Sequence, residues 1–306
     1  MKGREPIVYG VISAEEAAER FSPIFKGRAG RMLFNAAAAL TGIDKINRTH
    51  DRLCKAGVPF GPDFAEAILK DIDVEFLIGG AEHLAEMVSG PFITVSNHIY
   101  GHLDGICLLD LIGHVRPGAK VMVNDLLTLI KGLAPNFIAV NPTLKDKNVT
   151  AANVNGVRQC LAQLRSGEPL CLFPSGAVAD LRPREHWTIT ERDWQDEAVK
   201  IIRKAKVPVF PIRFFDRNSD FYYGLGLIDY RVRFVRLFHE MYNKRGATPR
   251  MAIGAPISVE EQEKFGDLQS FKEFLRNSVY GMTPPETLTR RTELVLPSPS
   301  PLASQD

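Results

Sequence analysis

Between residues 74 and 254, short apolar runs of strand length alternate with longer segments of helical spacing, and no other feature narrows the possible folds as much. Strand-like runs at 74–78, 91–96, 119–123, 136–140, 169–173, 207–212, 230–236 and 250–254 are interleaved with helix-like segments at 103–113, 125–132, 148–166 and 193–205. Such alternation predicts an α/β fold with a mixed, largely parallel sheet flanked by helices, parallel in its first part. The strands are apolar on both faces, as buried strands are. Ahead of the sheet, residues 13–56 read as helical, with Ser13 as N-cap and Glu16 at the capping-box position. A break at 57–62 is followed by a further helical stretch at 63–70. The spacing therefore predicts an N-terminal helical element over 1–72 and one α/β domain over 73–282, closed by a helix at 271–280. The Pro- and Ser-rich end, 283–306, reads as a disordered tail.

Composition removes several function classes. The 306 residues are 45% apolar and 24% charged with a formal charge of +2, so the chain is globular and nucleic acid is not the default partner. Cys54, Cys107, Cys160 and Cys171 are widely spaced and read as reduced packing residues of a cytoplasmic protein. The first residues lack the apolar core of a signal peptide. The most apolar stretches, 32–40 and 106–112, fall far short of the roughly 20 residues that cross a bilayer. Any contact with membrane lipid is expected from the surface.

Chemistry gathers where the strand run at 91–96 gives way to the helix run at 103–113, the place at which ligands bind open α/β sheets. There Asn97, His98, His102 and Asp104 lie within a few residues. His98 is a candidate base, and Asp104 a carboxylate able to fix its tautomer if residues 99–102 form the turn that starts the helix. His102 reads as a supporting group or a surface histidine. A metal held by His98, His102 and Asp104 is the competing reading, but the His-x-His-x-Asp-His spacing of metallo-β-lactamase-like sites fails at Tyr100 and Gly105. The Phe173-Pro174-Ser175-Gly176 turn ends the 169–173 run. It either presents Ser175 and the Gly176 amide to a ligand or is purely structural. Ser175 is not a hydrolase nucleophile, because the Gly-x-Ser-x-Gly elbow would need glycine where Phe173 stands.

These residues carry a resemblance. Asn97-His98-x5-Asp104-Gly105 resembles the first signature of the glycerolipid acyltransferase superfamily (the 1-acylglycerol-3-phosphate acyltransferase kind), Asn-His-x4-Asp. The extra residue and the Gly-x-Leu-Asp-Gly ending are closer to a bacterial subgroup labelled hemolysin-like, whose members make lysophospholipid-type or amino-acid lipids. Leu172 to Gly176 resembles the third signature and Val207 to Pro211 the fourth, with the subgroup's lead-in matched at 42–47 and 64–69. The resemblance implies transfer of a fatty acyl group from acyl carrier protein or coenzyme A to a lysolipid hydroxyl. It implies no bound cofactor and no metal.

His98 would be the base and Asp104 its partner, with substrate contacts from Asn97, Gly101, His102, Gly105, Phe173, Pro174, Ser175 and Gly176. Arg182 and Arg184 follow the third signature and are candidate substrate contacts. Asn141 stands for the acceptor arginine of the second signature, which this chain lacks, and Ser175 and Ala177 stand where glutamate is common. The N-terminal element would either contribute to membrane contact or the acyl pocket, or simply pack on the sheet. Basic residues at 200–206 and 231–250 either attract an anionic membrane surface, acyl carrier protein or the phosphates of coenzyme A, or are merely a solvated face. The expected location is cytoplasmic, peripheral on the inner face of the cytoplasmic membrane. A non-catalytic relative that binds lipid or a partner, and a thioesterase or lipid hydrolase using the same His-Asp pair, are the alternatives.

Overall fold

The computed structural model describes residues 9, 11–20, 24, 26–140, 147–228 and 230–297. Helix α1 (Ala14–Arg20) starts where Ser13 and Glu16 cap each other. The Glu16 amide donates to Ser13 Oγ (3.1 Å) and the Ser13 amide to Glu16 Oε2 (2.9 Å), satisfying donors the first turn leaves free. Helices α2 (Gly27–Thr41) and α3 (Ile43–Lys55) join at Gly42, whose φ of 85° and approach to the His239 backbone leave no room for a Cβ. Asn47 on α3 ties down the start of the chain. Its Oδ1 accepts from the Val11 (2.7 Å) and Ile12 (3.0 Å) amides, and its Nδ2 donates to the Ile12 carbonyl (2.9 Å). Helix α4 (Pro62–Asp71) opens on a proline, which costs a helix nothing at that position.

The strands are β1 (Leu77–Gly79), β2 (Ile93–Ser96), β3 (Lys120–Asn124), β4 (Phe137–Val140), β5 (Leu170–Leu172), β6 (Asp180–Arg182), β7 (Thr188–Thr190), β8 (Val209–Phe214), β9 (Arg250–Ile253) and β10 (Thr289–Arg290). Eight of them form one sheet in the order β10-β1-β9-β8-β2-β5-β3-β4, and β6 and β7 form a separate antiparallel hairpin. Strand β2 pairs in parallel with β5 and β8; only the β8–β9 and β1–β10 pairs in this sheet are antiparallel. The sheet is thus mixed and largely parallel, as the alternation predicts.

Helices α5 (His102–Val115), α6 (Lys147–Arg165), α7 (Asp196–Ala205), α8 (Asp220–Ile228), α9 (Tyr230–Asn243), α10 (Val259–Glu263) and α11 (Leu268–Tyr280) complete the fold. Period-two alternation divides the strand side chains between two cores. Ile93, Val95, Leu170 and Leu172 meet α6, α7 and α11, while Phe92, Cys171, Phe173 and Phe210 meet α4 and α5. The register sets Val95 beside Leu172 and Ser96 beside Ile212. The chain therefore leaves β2, β5 and β8 at one end of the sheet.

Three expectations are corrected. The 230–236 run is the start of α9: its basic-apolar alternation imitates a strand, but burial of Arg233, Leu237, Glu240 and Met241 follows helical spacing. The 125–132 segment begins with a 3-10 turn, Asp125–Leu129, in place of an α-helix. The proline-rich end is ordered through residue 297. It supplies β10, and its Arg291 pairs with the buried Asp110 (3.1 Å). Composition reports that such a segment cannot build a core alone, and says nothing of its docking onto a core already built. All four cysteines are free.

Among the described residues no helix is long and apolar enough to cross a membrane. The surface nevertheless carries large apolar side chains on two helices: Met32 (75% exposed) and Leu40 (71%) on α2, and Phe221 (60%) and Ile228 (80%) on α8. Arg236 joins the two helices, donating to the Leu40 carbonyl (3.1 Å) with its guanidinium over the Phe221 ring (5.2 Å). By contrast, much of the basic charge flagged at 200–206 and 231–250 is used internally. Arg203 donates to the Phe265 and Gly266 carbonyls, Lys206 pairs with Glu263, and Arg250 with Asp216.

Where α4 meets α5, His114 lies between Asp110 (3.1 Å) and Asp63 (3.2 Å), with Glu66 at 3.7 Å and Arg291 also at hand. The Asp110 carboxylate is the main cause that raises the imidazole to about 9. A histidine raised on folding adds stability that is complete below its unfolded value near 6.5 and is lost as pH climbs through about 9. After discount for solvent the contribution is about 1–2 kcal/mol. Urea unfolding of wild type and His114→Gln should therefore differ by about that much at pH 6 and converge above pH 9.5. An equal gap at both pH values would contradict this reading.

Candidate active site

The chain leaves β2 through Asn97 and turns back on itself before α5. Gly101 makes the turn possible, with φ of 83° and Leu237 Cδ2 2.8 Å from where a Cβ would sit. Asp104, at the third position of α5, reaches back over the turn. Its Oδ2 accepts from the Tyr100 (2.9 Å) and Gly101 (3.0 Å) amides and meets His98 Nδ1 at 2.9 Å. A carboxylate in this position requires the proton on Nδ1, which leaves Nε2 for a substrate. Asp104 is wholly buried, whereas the His98 side chain keeps 19% of its exposure.

The neighbouring strands fix His98 further. Because Val95 lies beside Leu172, the residue after β5, Phe173, falls under His98, and the two rings stack at 4.3 Å. Asn97 is buried with its amide spent on β8, donating to the Phe214 carbonyl (2.9 Å) and accepting from its amide (2.8 Å). It locks the end of β2 to β8, so its expected role as a substrate contact gives way to one of support.

A cavity of about 230 Å³ opens at His98. Toward the β3–β4 edge it is apolar, walled by Met122, Leu127, Ile130, Leu133, Phe137 and Val140; toward α8 and α9 it meets Tyr222, Arg233 and Arg192. Gly101, His102, Gly105, Phe173, Pro174, Ser175 and Gly176 also line it. The structure thus brings most of the expected residues together around one space.

Several are placed differently from expectation. His102 is no surface histidine. It is 8% exposed, packed on Phe238 at 4.1 Å, and burial lowers it to about 3, so it is neutral. The Ser175 hydroxyl faces Glu191 Oε1 and the Ala177 carbonyl (both 2.9 Å), and the Gly176 amide donates to the Phe173 carbonyl (2.9 Å). The Gly176 amide is held by the turn itself, and the single Ser175 proton is taken up by Glu191 or the Ala177 carbonyl. Arg182 bonds Glu185 and the Glu191 carbonyl (both 2.8 Å), and Arg184 is exposed on the hairpin; neither lines the cavity. Asn141 lies outside the described residues.

Sequence reasoning missed Tyr222 and Glu191, which are far from the signatures in sequence, and took Arg233 only as one of the basic residues at 231–250 and not as part of the site. Arg233 is buried, pairs with Asp180 and donates to the Ala179 carbonyl (2.9 Å); burial lowers it to about 10. Asp63, Glu66 and His114 form the one group of three potential metal ligands among the described residues, with ligand atoms within 4.8 Å of one another. They border α4, and His98, His102 and Asp104 do not form such a group.

A family model described as "Acyltransferase" matches residues 59–285. Two relatives carry the name lyso-glycine lipid O-acyltransferase. The one from Bacteroides thetaiotaomicron is 29% identical over 242 residues, covering 77% of this chain and 82% of its own. The one from Phocaeicola vulgatus is 30% identical over 227 residues, covering 72% and 77%.

Proposed function

The chain belongs to the acyltransferase family, and we propose that it moves a fatty acyl group from an acyl thioester to the hydroxyl of a lysolipid. The observation that carries this reading is His98, paired with the buried Asp104, on the wall of a cavity that is otherwise lined largely by apolar side chains. Burying an acyl chain against that wall is worth about 0.8 kcal/mol per methylene, enough to hold a thioester in register with the base. His98 Nε2 takes the proton of the acceptor hydroxyl as its oxygen bonds the carbonyl carbon. The C–S bond then breaks and the proton passes from the imidazolium to the departing sulfur. Asp104 keeps Nδ1–H oriented and stabilises the imidazolium between the two steps. The donor is acyl carrier protein or coenzyme A carrying the acyl group.

The acceptor is best matched by a single-chain lipid with an amino-acid or otherwise non-phosphomonoester head. A phosphomonoester calls for an arginine free to bond two oxygens. At the polar end of the cavity Arg233 is engaged by Asp180 and backbone carbonyls, and Arg192 leans on the same aspartate at 3.9 Å. The names of the two relatives favour the same class.

An anionic membrane surface is the natural source of such a lipid. Met32, Leu40, Phe221 and Ile228 would enter the interface, beside the exposed Arg28 and Arg31 of α2, which has no acidic residue. Phe221 precedes Tyr222 of the cavity wall on α8, so the same helix serves both this face and the cavity.

Three outcomes are expected. His98→Ala should lower transfer by about 10²–10⁴ in a folded protein, Asp104→Asn nearly as much, and His102→Ala far less; a dead His102→Ala beside an active His98→Ala would reverse the assignment. Thioester consumed equally with and without lysolipid would indicate a hydrolase, and none consumed a binding protein. With equal lysophosphatidic acid and lyso-amino-acid lipid, the second should be acylated faster, and the opposite preference would overturn the acceptor class. Finally, Leu40→Glu with Phe221→Glu should weaken sedimentation with phosphatidylglycerol vesicles by about tenfold or more; unchanged binding would clear this face of the role.

A further inference from the structure

The mechanism above uses one carboxylate, yet a second one grips the same histidine from behind. Glu191 lies just past β7 and is 1% exposed. Its Oε1 accepts from the His98 backbone amide and from Ser175 Oγ (2.9 Å), and its Oε2 from Tyr280 Oη (2.6 Å) and Trp194 Nε1 (3.4 Å). Donors thus converge on both oxygens, which is the pattern of an accepting carboxylate. Burial raises the acid, and the hydrogen bonds from Tyr280 and Ser175 oppose that rise.

The backbone of the same segment is also fixed. Arg182 donates to the Glu191 carbonyl (2.8 Å), and the Ala179 amide donates to the His98 carbonyl (2.8 Å). Both backbone polar groups of the base are therefore held by residues 179–191. The resemblance leads one to expect glutamate at Ser175 or Ala177, and a carboxylate reaches Ser175 Oγ from Glu191 instead.

We propose that Glu191 is a positioning residue for acyl transfer, setting the place of the His98 backbone while Asp104 sets the orientation of its ring. Glu191 is absent from the cavity wall, so it acts through His98 and not on the substrates. The proposal rests on the reading of His98 as the base. Misplacing a reacting group by about 1 Å costs up to about 10²-fold in rate, and a carboxamide at this position would offer an N–H toward donors that now find acceptors. Because a buried charge with several partners also supports the fold, a milder variant is needed beside the direct one. Tyr280→Phe removes a single hydrogen bond from Glu191 while keeping the ring.

The test is steady-state kinetics of the full chain with one acyl thioester and one lysolipid, alongside unfolding measurements. Glu191→Gln should lower kcat by about 10–100-fold with both KM values within about twofold of wild type. Tyr280→Phe should lower kcat by about threefold to tenfold, again without a change in KM. In a His98→Ala background, Glu191→Gln should add no further loss, since residues acting as one unit are not additive. A rise in KM at constant kcat, or the full loss reappearing in the His98→Ala background, would overturn the proposal. A kcat loss in Tyr280→Phe that vanishes once the assay is run well below its unfolding temperature would do the same. If His98→Ala itself kept full activity, the base reading would fail. An inactive His98→Ala beside a fully active Glu191→Gln would sink only the proposal for Glu191.

Discussion

One oxygen atom, Asp104 Oδ2, receives the Tyr100 amide, the Gly101 amide and His98 Nδ1, and much of the site depends on that convergence. The first two contacts tie down the turn that starts α5; the third orients the His98 ring. Helix start and ring orientation are therefore one structural event, and neither can shift without the other. A wholly buried carboxylate is costly unless its charge is met by donors. Here donors and the positive end of α5 meet it together. The turn closes only because Gly101 accepts a positive φ under the Leu237 side chain.

The second constraint is the parallel register at the centre of the sheet. Strand β2 lies between β5 and β8, and each neighbour contributes to the setting of His98 where it ends. Strand β5 supplies Phe173 as the surface on which the imidazole lies, and β8 supplies the Phe214 backbone that Asn97 grips. Breaking such a buried pair of hydrogen bonds costs about 1–3 kcal/mol for each group left unpaired, so the end of β2 is among the stiffer parts of the chain. The apolar wing of the cavity is built instead from β3, the edge strand β4 and the 3-10 turn after β3.

How much of this was legible follows from range. The alternation of β2, α5, β3, β5 and β8 is local and periodic, and it gave the sheet and the end at which the site forms. The Asp104–His98 contact was legible too, because a short turn and a helix start suffice to bring the residues together. Glu191, Arg233 and Tyr222 were not, since they reach the site through a hairpin and two helices whose packing no local pattern encodes. The 230–236 segment was misread because alternating arginines and apolar residues satisfy a period of two over a few residues. Ser175 and Asn97 were seen, but their partners were not, and partners decide whether a polar group serves a ligand or the fold.

The pairing of β10 with β1 has a consequence for how the molecule is made. Strand β1 belongs to the early part of the chain, yet the strand that covers its outer edge is donated by residues 289–290. An uncovered strand edge is a template for pairing with other chains. During synthesis from the N-terminus, that edge stays open until almost all of the domain has emerged. Arg290 and Arg291, paired with Glu75 and Asp110, then act as a late latch, and one strand edge stays open to wrong partners until it shuts.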